Sequence, residues 1–206
     1  MELTETTIRY LYATTWLPSS TKDHTVAVPG GATTALDTAG NLLHIAMWSL
    51  RRQGLMEFEQ LRPVEEERVR VLGGKPFSAF ELLDRTATAR GLEGALLDAA
   101  RTIDGDDRGV RRLVRALDLD NRSPWATVCN HCFREAAAAG LVEAKGRLFR
   151  KVVFTDIAAV ESLRGQNDEL RAARGAYLDA EPELTNAVIG DCLRTVADAY
   201  SPSLGD

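Results

Sequence analysis

Three cysteines among 206 residues are too few for a disulfide-built scaffold, and an odd number cannot all pair. That usage points to a reducing compartment and away from secretion. Acids outnumber bases 30 to 25, a formal charge of −5. The balance argues against a protein that coats nucleic acid through bulk positive charge, and leaves room only for a local basic patch. No apolar run approaches the roughly 20 residues of a membrane-spanning helix. The opening Met1-Glu2-Leu3-Thr4-Glu5 lacks the basic start and apolar core of a secretory leader. A cytoplasmic protein is therefore expected, with peripheral attachment to a membrane left open. Catalytic signatures are absent as well. There is no H-E-x-x-H, no G-x-S-x-G, no phosphate-binding loop and no dinucleotide fingerprint. The 3 histidines are far apart and give little material for general-base chemistry. The expectation is no enzyme, no cofactor and no bound metal.

What is present is ordinary for a globular domain: 45% hydrophobic and 27% charged residues. The length allows one generous domain with its own core. We read residues 1–206 as a single domain, with 1–34 as an irregular N-terminal segment inside it. The fold class expected is mainly α, a helical domain with two small β-hairpins in winged-helix-like units. Leu3 to Tyr12 reads as a short helix or strand, and 18–34, with Pro18, Pro29, Gly30 and Gly31, as loop. Ala39, Leu42, Leu43, Ala46, Met47 and Leu50 recur at helical spacing and predict a helix over 36–53 with one buried face. Gly54 stops it. Strands follow at 55–59 and 68–72 around the acidic turn 63–67. Ser78 and Glu81 form a capping box for a helix to about Arg90. Helices are further expected at 92–103 and 108–117. Ser123-Pro124 opens another, ending at Gly140. Strands at 141–143 and 148–154 flank a Lys145-Gly146 turn. Three helices complete the chain, at 156–164, 167–179 and from Pro182 to about Ala199. Helix-then-hairpin thus occurs twice.

Cys129-Asn130-His131-Cys132 is a C-x-x-C string that could bind zinc or exchange thiols. No second C-x-x-C exists, the helix has already begun at Pro124, and both thiols fall on its apolar stripe. We read Cys129, Cys132 and Cys192 as core positions. Basic residues cluster more suggestively. Arg108, Arg111, Arg112 and Arg115 share one helical face. Lys145, Arg147, Arg150 and Lys151 lie on the second hairpin, with His131 and Arg134 on the helix before it. One reading is a solvated face neutralised by nearby aspartates. The other is an anion site for a lipid or nucleic-acid phosphate.

The segment Phe133-Arg134-Glu135-Ala136-Ala137-Ala138-Ala139-Gly140-Leu141-Val142-Glu143 resembles the Golgi phosphoprotein 3 family. Other pieces occur in family order: Leu3 to Tyr12, Leu42 to Glu59, Gly94 to Ala100, and Glu183 to Ile189. Members of that family are phosphatidylinositol 4-phosphate effectors. The resemblance implies a helical fold and a headgroup site near Arg134, with His131 where the family has its other arginine on that helix. It leads to the expectation of a non-enzymatic adaptor. His131, Arg134, Lys145, Arg147, Arg150 and Lys151 would bind an anionic phospholipid or membrane surface, and Arg108, Arg111, Arg112 and Arg115 would form a secondary basic face. The runners-up are a tandem winged-helix DNA-binding regulator and a ligand-free adaptor that uses Trp16 or Trp48 to bind a protein partner or a second copy of the chain.

Overall fold

The computed structural model describes residues 2–14, 25–28, 31–60, 69–73, 91–103, 109–119, 124–145 and 151–200. Helix α2 (Ala35–Arg52) is its centre. The expected stripe from Ala39 to Leu50 is buried, none of it more than 2% exposed. The opposite side is buried too: His44, Ile45, Trp48 and Ser49 are all 5% exposed or less. A single buried face was expected. The difference arises because α2 is surrounded by α1 (Glu5–Thr14), α3 (Gly91–Thr102), α5 (Pro124–Ala138) and α8 (Pro182–Ala199). Helix α8 approaches closely at Gly40, where a Cβ would lie 2.4 Å from Leu193 Cδ2. The main core joins Leu42, Met47, Leu96, Leu113, Val128 and Cys192 from five helices, including α4 (Val110–Arg115).

The helix stops follow the sequence. At Gly54 (φ 70°) its N–H donates to the Arg51 carbonyl, and the Leu55 N–H to that of Leu50, both at 2.9 Å. These are the two bonds of a Schellman cap. Strand β3 (Met56–Gln60) then pairs antiparallel with β4 (Val69–Gly73), Phe58 opposite Val71. The second unit is α5 followed by β5 (Val142–Lys145) and β6 (Lys151–Phe154). A smaller cluster of Leu11, Ala136, Leu141, Val142 and Val160 seats this hairpin and α6 (Ile157–Ser162).

Several expectations change. The N-terminal segment is not irregular throughout. Residues Glu5–Thr14 form a helix with Ile8 and Leu11 buried. Within the expected loop, β1 (Thr25–Val28) and β2 (Gly31–Thr34) pair as a third hairpin. Trp48 is not exposed, and Lys145 is no turn residue: it is paired across the ladder with Lys151. The capping-box helix at 78–90, the acidic turn at 63–67 and Trp16 lie outside the described residues. Among those residues, no helix is long and apolar enough to cross a membrane.

Helix α7 (Arg164–Ala180) is poorly docked. Of its 17 residues only Asn167 is buried. It is fastened to α2 by Arg174, which reaches Asn41 and His44, and by the Arg51 guanidinium. That guanidinium donates to Tyr177 Oη at 2.9 Å, to Glu181 at 2.8 Å and to Glu57 at 2.6 Å. Arg51 thus ties α2 to β3, to the last turn of α7 and to Glu181, which links α7 to α8. Hydrogen bonds to charged groups contribute about 1.5–3 kcal/mol when shielded, and less where solvent screens them. Arg51→Met is expected to cost about 2 kcal/mol, read as a lowered urea midpoint. A midpoint equal to wild type would show the hub to be decorative.

Candidate functional site

Of the residues selected from the sequence, those whose side chains the structure describes lie on two helices, His131 and Arg134 on α5 and Arg111, Arg112 and Arg115 on α4. Arg134 is exposed on α5 and His131 is half-buried beside it. Burial first, and the Arg134 charge second, lower the His131 pKa. Lys145 and Lys151 are cross-strand partners in the second hairpin. Arg147, Arg150 and Arg108 lie outside the described residues. On α4, Arg112 and Arg115 are exposed. Arg111 is bound to Asp198 at 2.6 Å. The face opposite them, Val110, Leu113, Val114 and Leu117, is buried as expected. Cys132 and Cys192 are fully buried. Burial raises all three thiols, Cys129 to about 12, so none is a thiolate at neutral pH. Among the described residues no group of side chains has the makings of a metal site.

The arrangement that the sequence reading missed lies between α1, α2 and α7. Arg9 of α1 and Arg171 and Arg174 of α7 converge on a cleft of about 250 Å³, walled by Ile45, Trp48, Leu170 and Leu178. Arg9 and Arg171 make no ion pair among the described residues. Glu5, the acid one helical turn before Arg9, also lines the cleft. It is paired with Arg52 instead, and the Arg52 guanidinium lies over the Trp48 ring at 5.4 Å.

Neutral acceptors hold Arg174. Its Nη2 is 3.2 Å from Asn41 Oδ1 and 3.2 Å from His44 Nδ1, while its Nε is buried with no partner. A guanidinium can only donate, so Nδ1 accepts and the His44 proton resides on Nε2. Burial, and then the Arg174 charge, lower the His44 pKa to about 3; the ring is neutral at physiological pH. Asn41 is fixed in turn by its own bond to the Asp37 carbonyl at 2.8 Å. The guanidinium is thereby aimed without being neutralised. Burial and the neighbouring arginine both push down the pKa of Arg9 and of Arg174. The cleft therefore holds like charges at a cost, and an anion would relieve it.

Helix α1 carries Arg9, and its position is set by two buried acids. Glu135 of α5 accepts from Thr4 N at 3.1 Å, Thr4 Oγ1 at 2.7 Å and Thr7 Oγ1 at 2.5 Å. Glu93 of α3 accepts from Thr6 N at 3.1 Å and Thr6 Oγ1 at 2.7 Å. Acids near a helix N-terminus match its exposed N–H groups and positive dipole end. Here they come from other helices. Gly91 makes room: a Cβ there would lie 2.4 Å from Glu135 Oε2, and its φ is 61°.

Comparison of the chain with family models, with curated proteins and with solved structures gives no match.

Proposed function

We propose that the chain is a non-enzymatic cytoplasmic protein that binds anionic phospholipid headgroups at a membrane surface, and that the headgroup phosphate sits among Arg9, Arg171 and Arg174. The carrying observation is the convergence of three arginines on one cleft, with Arg174 oriented by Asn41 and His44 rather than by a carboxylate. Arginine's planar fork suits phosphate oxygens. The Lys145–Lys151 pair on the second hairpin would add a second, looser contact with the surface. The resemblance to the Golgi phosphoprotein 3 family supports the same class of ligand. The winged-helix likeness rests on α2 followed by β3–β4 and α5 followed by β5–β6. The burial of α2 on every side speaks against its use as a recognition helix in a DNA groove.

Each basic residue near an anionic surface contributes about 1 kcal/mol. Co-sedimentation with phosphatidic acid-containing vesicles and with neutral phosphatidylcholine vesicles tests the reading. The wild type should pellet with the former. Arg171→Glu, which replaces one attraction by a repulsion, should lose about tenfold or more of that affinity. Equal pelleting with both vesicle types would refute the proposal.

A further inference from the structure

The cleft is more than an anion site. Beside its cations, Glu5 and Asn167, the cleft is lined by hydrocarbon: Ile45 and Trp48 from α2, Leu170 and Leu178 from α7. Helix α7 spans this space without filling it. The ties between α7 and α2 are the Arg174 bonds to Asn41 and His44, the Tyr177 bond to Arg51, and the Trp48–Tyr177 ring contact at 6.1 Å. Apolar walls that face a gap forgo the dispersion contacts of a closed core. A polar headgroup alone would not recover those contacts.

We infer that the cleft takes a single-chain phosphorylated amphiphile, its phosphate on the arginines and its alkyl chain inserted between α7 and α2 against Trp48 and Leu178. The inference rests on the headgroup reading above but goes further, because the protein would then hold one chain away from the bilayer instead of touching only its surface. Charge complementarity fixes the head, and the apolar side of the same cleft fixes the tail.

Calorimetric titration of the full chain with inorganic phosphate, butyl phosphate and octyl phosphate, with octanol as the uncharged control, separates the two readings. A buried methylene strengthens binding about fourfold. Octyl phosphate is therefore expected to bind at least about tenfold tighter than butyl phosphate, even in a cleft open on one side. Leu178→Trp, which fills the tail space with another apolar side chain, should abolish that chain-length gain. Octyl phosphate binding no tighter than inorganic phosphate would overturn the inference and leave the headgroup reading standing. Octanol binding as tightly as octyl phosphate would overturn both. Retention of the full chain-length gain in Leu178→Trp would place the tail elsewhere and overturn the inference.

Discussion

Glu135→Ala is expected to lower the unfolding free energy by about 3–5 kcal/mol, near the top of what single substitutions do. The carboxylate is 5% exposed and accepts from three donors at the start of α1. Truncation leaves the Thr4 N–H and the Thr4 and Thr7 hydroxyls without their acceptor, each at about 1–3 kcal/mol before relaxation. The hydroxyls can turn to other acceptors, which keeps the total below the simple sum. Thr7→Val removes one donor, and its cost should overlap with that of Glu135→Ala in a double-mutant cycle. Urea unfolding measures all of this. A loss under about 1 kcal/mol would mean that the trans-cap is not what seats α1.

Glu93, on the other side of the same helix start, should behave differently. Burial raises its carboxyl pKa, the Thr6 hydrogen bonds oppose that, and the Glu135 charge adds to it; its Oε2 has no hydrogen-bond partner. A raised folded pKa means that the folded chain binds this proton more tightly than the unfolded one. The resulting stability is complete below the ordinary glutamate pKa and is lost as pH rises through the folded value. Glu93→Gln is uncharged at all these pH values. The variant's stability relative to wild type should therefore rise as the pH climbs above the ordinary glutamate pKa. A relative stability that falls over this range would reverse the assignment.

Local chemistry made most of the helices legible. The 39–50 stripe, the stops at Gly54 and Gly140, the Asp156 cap on Ala159 N at 2.8 Å and Pro182 at the start of α8 all appear where the periodicity and capping residues predict. The burial of the far side of α2 was not legible, because it depends on how many other helices surround it. The trans-cap was hidden for a related reason. Glu93 and Glu135 stand 87 to 131 residues from the threonines they hold, and no local pattern joins residues so far apart. The arginine cleft left a fainter trace. Arg174 has no acid three or four residues away on either side, and Arg9 has one, Glu5, that the tertiary structure sends to Arg52. The basic runs at 108–115 and 145–151 are dense in the sequence. Density marks solvated faces as readily as sites, whereas cations of α1 and α7 that share one cleft, with the Glu5 that also lines it paired to Arg52, need another explanation.

That explanation yields a trade-off between stability and binding. Arg9→Met should make the protein more stable and a poorer binder at once. Arg9 is partly buried, its pKa is lowered by burial and then by the Arg171 charge, and its own charge lowers that of Arg174. Methionine keeps the apolar stem of the side chain and removes the like-charge repulsion. A gain of about 1 kcal/mol is expected, the size of other surface-charge corrections, seen as a higher urea midpoint. Affinity for anionic vesicles should fall about fivefold to tenfold, since one cation near the surface is worth about 1 kcal/mol and a phosphate held among three guanidiniums loses a bidentate partner. An ordinary exposed arginine would move only the binding, and a structural arginine would lower the stability. Only a cation retained for an anion moves the two in opposite directions. If Arg9→Met destabilises the fold, or if vesicle binding is untouched, the cleft is held together by its arginines and is not the place where the anion binds.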